Sequence, residues 1–108
     1  MIVGIGCDIV DINRIDIRMA RKILTNKEME IFQTYKDKRA KEYLASRFCA
    51  KEALFKALPS QNRVIHDIEV LNNEHHKPYC HIEPYKIHVS ISHEEEYVIA
   101  YAICEVTS

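Results

Sequence analysis

Asp8 stands inside the apolar run Ile2-Val3-Gly4-Ile5-Gly6-Cys7-Asp8-Ile9-Val10. A carboxylate there is costly unless a charge, a metal or hydrogen bonds compensate it. It reads either as a hard-cation ligand at a strand end or as a terminal carboxylate capping the next segment. A second set of groups lies in Arg47-Phe48-Cys49-Ala50-Lys51-Glu52-Ala53-Leu54-Phe55-Lys56. Glu52 and Lys56, four apart, share one face of a helix, with Phe48 one turn earlier. They form either a solvated ion pair, or a carboxylate on a metal beside a lysine on a phosphate that the metal contacts. Mg²⁺ suits the second reading, because it commonly takes one or two carboxylates plus substrate phosphates and water.

The segment His88-Val89-Ser90-Ile91-Ser92-His93 ends in a histidine just before the acidic Glu94-Glu95. His93 is a ligand-contact candidate, although one histidine among six also fits a surface residue or a loop cap. His75-His76 with Cys80-His81 lacks a second pair at standard zinc spacing. Arg14, Arg18 and Arg21, followed by Lys22, would line one face if the segment is helical. That face is either solvated surface or a docking strip for an acidic helix.

The chain has 108 residues, which is one domain spanning 1–108. A domain of this size cannot easily enclose a deep private pocket, so a neighbouring subunit could complete an active site. A net charge of −1 provides no global basic field, which argues against nucleic acid as a partner. Asp8 comes too early for a signal-peptide core. No apolar run approaches the ~20 residues of a membrane helix. Cys7, Cys49, Cys80 and Cys104 sit among apolar neighbours without a C-x-x-C pair, as expected of buried free thiols in a reducing cytosol. The two glycines, Gly4 and Gly6, fall beside Asp8, which predicts close backbone approach there, or a bulged strand.

Strand Ile2–Val10 must carry Asp8. Asp11 or Asn13 can cap a short helix reaching about Leu24, the carrier of the three arginines. Thr25-Asn26-Lys27-Glu28 is a capping box opening a helix to roughly Tyr35. The longest helix starts at Asp37, with Leu44, Phe48, Phe55 and Leu58 as its apolar side. Pro59 and the polar Ser60–Arg63 end it. Strands are predicted over His66–Leu71, Lys77–Glu83, Lys86–Ser92 and Tyr97–Val106, with a turn at Asn72–His76. An N-terminal strand, three helices and an antiparallel sheet make an α+β fold.

The segments Gly4-Ile5-Gly6-Cys7-Asp8-Ile9-Val10, Arg47-Phe48-Cys49-Ala50-Lys51-Glu52-Ala53 and Val89-Ser90-Ile91-Ser92-His93, in this order, closely resemble the holo-acyl-carrier-protein synthases. These are the small bacterial branch of the phosphopantetheinyl transferases. The similarity runs end to end and includes Asp67-Ile68-Glu69-Val70 and Lys77-Pro78-Tyr79. It implies Mg²⁺-dependent transfer of 4′-phosphopantetheine from coenzyme A to a serine of apo-acyl carrier protein, releasing adenosine 3′,5′-bisphosphate. It further implies a cytoplasmic homotrimer with sites at subunit boundaries. Asp8 and Glu52 would hold the metal, Lys56 would lie near the phosphates, and Arg47 and His93 near coenzyme A. Arg14, Arg18 and Arg21 would meet the carrier. Where the family usually has a glycine-rich turn, this chain has Leu58-Pro59-Ser60-Gln61-Asn62-Arg63, and His76 replaces a frequent glycine. Two rival readings keep the same residues: a Mg²⁺-dependent nucleotide hydrolase, and a non-catalytic subunit that binds carrier proteins.

Overall fold

The computed structural model describes residues 1–59 and 63–107. Strand β1 spans Ile2–Asp11, and its side chains alternate between two environments. Gly6 and Val10 are buried and Gly4 and Asp8 half-buried, whereas Val3, Ile5, Cys7 and Ile9 are exposed. Cys7 therefore departs from the expected burial of all four thiols, while Cys49, Cys80 and Cys104 keep to it. The two-residue period of the strand puts Cys7 opposite its neighbours Gly6 and Asp8.

The expected helix to Leu24 is broken. Two 3₁₀ turns, Ile12–Arg14 and Ile17–Met19, precede a short α1 at Ala20–Ile23. Asp11 accepts the amide of Asn13 and Asp16 that of Arg18, so each turn starts afresh. Between them Ile15 and Asp16 are extended. Burial of Ile12, Ile15, Ala20 and Ile23 holds the irregular segment to the core. The capping box forms as predicted and opens α2, Asn26–Phe32.

Helix α3, Asp37–Ala57, is the centre of the molecule. Leu44, Cys49, Ala50, Ala53, Leu54 and Ala57 are fully buried. Its small residues let β1 lie directly on it. A methyl group on Gly4 would stand 1.7 Å from the Ala57 carbonyl oxygen, and one on Gly6 1.8 Å from that of Ala53. The two glycines thus serve close approach of strand to helix, and a register irregularity between Ile2 and Gly4 accompanies it.

Of the four predicted later strands, two form at length: β4, Lys86–His93, and β5, Tyr97–Glu105. Between α3 and β4, among the described residues, the short strands β2, Leu71–Asn72, and β3, Pro78–Tyr79, pair with each other, and Ile82 and Tyr85 form an isolated bridge. His66 lies in a 3₁₀ turn, Ile65–Asp67, instead of a strand. Ile68 and Val70 are buried as their alternation suggested. However, the Val70 amide donates to Glu28 of α2 and its carbonyl accepts from Arg47 of α3. Side chains meet the groups that a strand partner would have met. Among the described residues, the main sheet has three antiparallel strands in the order β1-β5-β4.

Candidate active site

Close packing of β1 on α3 places Asp8 beside the last turns of the helix. The Lys56 ammonium donates to the Cys7 carbonyl at 2.9 Å and pairs with Asp8 Oδ1 at 3.2 Å. Glu52, one turn back on the same face, is half-buried. Burial pushes its carboxyl upward, the charge of Asp8 adds to this, and Lys56 partly opposes it. Two acids sharing a restricted space with one exposed lysine form a repelling pair that a cation would relieve. The Cys49 thiol, pushed up to about 12 by burial and then by Asp8, stays protonated and donates to the Asp8 carbonyl at 3.3 Å. It engages the Asp8 backbone and not the Asp8 carboxylate, whose partner is Lys56.

The donor set fits Mg²⁺. Asp8 and Glu52 supply hard oxygens, and the described residues contain no cluster of three His, Cys, Asp or Glu groups that would enclose a metal alone. Such an ion would take its remaining ligands from phosphate and water.

Arg47 and His93 stand elsewhere. Both line a polar cavity of about 210 Å³ together with Tyr43, Asn72 and His76. The Arg47 guanidinium is buried. It donates to the Val70 carbonyl at 3.0 Å, the Ser46 hydroxyl at 3.1 Å and Asn72 Oδ1 at 2.9 Å, and stacks on Tyr43 at 4.7 Å. Five residues of α3 separate Arg47 from Glu52, which turns them about 140° apart around the axis. The sequence groups these residues in one motif, but the structure divides them between two faces of the helix.

The arginines do not share one helix face, because the helix that would have aligned them is broken. Arg14 borders a mainly apolar hollow of about 490 Å³ with Ile15, Met19, Phe48 and Tyr97. Arg18 is paired with Asp16 through contacts of 2.8–3.1 Å. That bond holds the Asp16 carboxyl down at about 2. Arg21 borders a different hollow with Leu24, Met29 and His66.

One polar cluster went unread in the sequence. Lys51 and Glu28 are wholly buried and paired at 2.6 Å. The available signal was positional, since Lys51 falls on the stripe Leu44-Arg47-Lys51-Leu54, where apolar residues belong. No spacing rule identifies Glu28, already used by the capping box, as its partner.

Comparison with known proteins gives the family. A profile of the 4′-phosphopantetheinyl transferase superfamily matches residues 4–102. The chain is 43% identical to a holo-[acyl-carrier-protein] synthase of Bacillus pumilus and 45% identical to that of Anoxybacillus flavithermus, covering 97% of this chain and of each relative. It superposes on the crystal structure of a Bacillus anthracis holo-(acyl-carrier-protein) synthase in complex with CoA (3′,5′-ADP), with a TM-score of 0.93 and 37% identity over 99% of both chains. The fold and the family match are those of a phosphopantetheinyl-transferring enzyme. Within that class, the chain belongs to the holo-[acyl-carrier-protein] synthase family.

Proposed function

We propose that this enzyme transfers 4′-phosphopantetheine from coenzyme A to a serine of an apo-acyl carrier protein and releases adenosine 3′,5′-bisphosphate. The observation that carries the proposal is the Asp8–Glu52–Lys56 cluster, two acids and a lysine gathered where strand meets helix. Bound between Asp8 and Glu52, Mg²⁺ would supply Lewis-acid stabilisation of phosphate charge. Lys56 is exposed enough to meet a phosphate and would hold negative charge on the leaving group. The serine oxygen forms a bond to the phosphorus that carries the pantetheine arm. The bond from that phosphorus to the adenosine bisphosphate oxygen breaks, and the serine loses its proton.

The nucleotide end of coenzyme A suits the cavity of Arg47 and His93, and the carrier suits the hollow beside Arg14. Because Arg47 and Glu52 point to different faces of α3, one substrate bridges both sets only if two copies meet. The outer face of the sheet supports such an assembly. Ile5 and Ile9 are 67% and 60% exposed, next to Ile99 and Tyr101 on β5. A contiguous apolar face of this kind is characteristic of an interface. We place the protein in the cytoplasm as a homotrimer, each copy a single transferase domain. Among the described residues, no helix is long and apolar enough to cross a membrane.

The test is to incubate the protein with coenzyme A, Mg²⁺ and apo carrier protein, then weigh the carrier by mass spectrometry. Transfer adds one phosphopantetheine. Consumption of coenzyme A without that gain would identify a hydrolase, and neither change would leave a carrier-binding subunit.

A further inference from the structure

Lys51 occupies the same motif as Glu52 and Lys56, yet it is fully buried and cannot reach a phosphate. Its ammonium donates to the Ile23 carbonyl at 2.5 Å and to Glu28 Oε1 at 2.6 Å. Glu28 also accepts the amides of Thr25 at 2.8 Å and Val70 at 2.7 Å. From Val70 the connection continues without a gap. Its carbonyl accepts from Arg47 at 3.0 Å, and Arg47 donates to Asn72 at 2.9 Å. Arg47 and Asn72 are walls of the polar cavity.

We infer that Lys51 and Glu28 are positioning residues for coenzyme A: their buried pair sets the Val70 peptide, and through it the Arg47 and Asn72 walls of the cavity. The inference rests on the proposed function for the identity of the ligand. The choice of a charged pair carries the argument. A buried pair is not needed for stability, because well-packed apolar residues often do as well or better. What an apolar pair cannot do is hold a peptide N–H at a fixed place and angle. Here Glu28 accepts the N–H that enters Val70 while Arg47 donates to the carbonyl that leaves it, so the two peptide groups flanking Val70, and the cavity wall with them, are fixed relative to α3.

The experiment uses the assembled protein with Lys51→Met and Glu28→Leu combined, which keeps approximate volume while removing both charges and the acceptor of the Val70 amide. Glu28→Gln alone is the second variant, since it removes the charge while keeping one acceptor oxygen. Folding is followed by circular dichroism, binding of adenosine 3′,5′-bisphosphate by calorimetry, and transfer by the mass assay. A displaced wall should weaken nucleotide binding and raise KM for coenzyme A about tenfold, with kcat within about twofold, since misplacing a positioning group acts on binding geometry. A folded variant with wild-type nucleotide affinity would overturn the inference and leave the transferase reading intact. A loss confined to kcat would overturn it too, because it would place the pair in the chemical step. If the wild-type protein binds the nucleotide but transfers nothing, the transferase reading fails, while the affinity ratio still judges the pair. If it binds no nucleotide, both fall.

Discussion

At the scale of single residues, the role proposed for Glu52 works against the fold. Burial and Asp8 raise its carboxyl above the ordinary 4.5, so the ionised form is disfavoured by folding. The cost is absent below the unfolded pKa, where the group is protonated in both states, and is fully present above the folded pKa. Glu52→Gln should therefore melt no lower than wild type at pH 7, and the difference should close as the pH falls to about 4. Activity should be lost in Glu52→Gln, and likewise in Asp8→Asn. Added Mg²⁺ should raise the melting temperature of the wild type and of neither variant, since only a site that binds the ion in the native state shifts the equilibrium. Transfer within a few-fold of wild type in either variant would remove the metal role. His76 shows the opposite relation. Its φ of 62° is the left-handed conformation, so the turn keeps the backbone that glycine favours without having the glycine. The Asn73 side chain holds it by accepting the amides of His75 and Lys77 at 2.8 and 3.1 Å. His76→Gly should stabilise the protein by about 0.5–1 kcal/mol in a denaturant titration, the left-handed penalty less the added entropy of the unfolded chain.

At the scale of elements, legibility followed locality. The capping box, α3 and the hairpin of β4 and β5 are encoded within a few neighbouring residues, and they form within a residue or three of expectation. The two glycines beside Asp8 predicted a close backbone approach, which the structure shows to be to α3, whereas Asp8 was joined to Glu52 and Lys56 only through the resemblance of their segments. The segment from His66 to Glu83 was misread as two full strands, because its hydrogen-bonding groups are met by Glu28 and Arg47 from distant helices. The basic helix was misread because Asp11 or Asn13 was taken to start one continuous helix, with no allowance for the second start that Asp16 makes. The end of α3 agrees with Pro59 as a stop, while the expectation placed on Ser60, Gln61 and Asn62 lies outside the described residues. The broken helix changes what the arginines should do. Arg18 already has Asp16, whereas Arg14 borders an apolar hollow suited to a side chain of the carrier. Arg14→Glu should raise KM for the carrier about tenfold and weaken the dependence of rate on salt, and Arg18→Glu should do markedly less. Steady-state kinetics over a salt series distinguishes them. Equal effects would restore the idea of a continuous basic strip.

At the scale of the whole molecule, the question is whether one chain contains one site. Glu52 and Lys56 face β1, Arg47 and His93 border a cavity on another side of α3, and the outer sheet face leaves Ile5, Ile9 and Tyr101 in contact with water. If the proposed trimer is a closed ring, the acid cluster of each copy would meet the cavity of the next, and every boundary would carry one complete site. Ile99→Lys tests the assembly, because it puts a charge in the middle of the apolar face without entering the monomer core. Sedimentation should then give a monomer, and transfer should vanish although the fold persists. A stricter test mixes two inactive proteins. Glu52→Gln subunits keep the cavity and lose the acid cluster, whereas His93→Ala subunits do the reverse. If the site is shared, a boundary with both wild-type halves arises whenever a His93→Ala subunit presents its acids to a Glu52→Gln neighbour. Random reassembly of an equal mixture should then restore roughly a quarter of wild-type activity. If each site belongs to one chain, every site in the mixture carries a defect and no activity returns. Failure to recover activity from subunits shown by native mass spectrometry to have exchanged would exclude the shared site, whatever the oligomeric state.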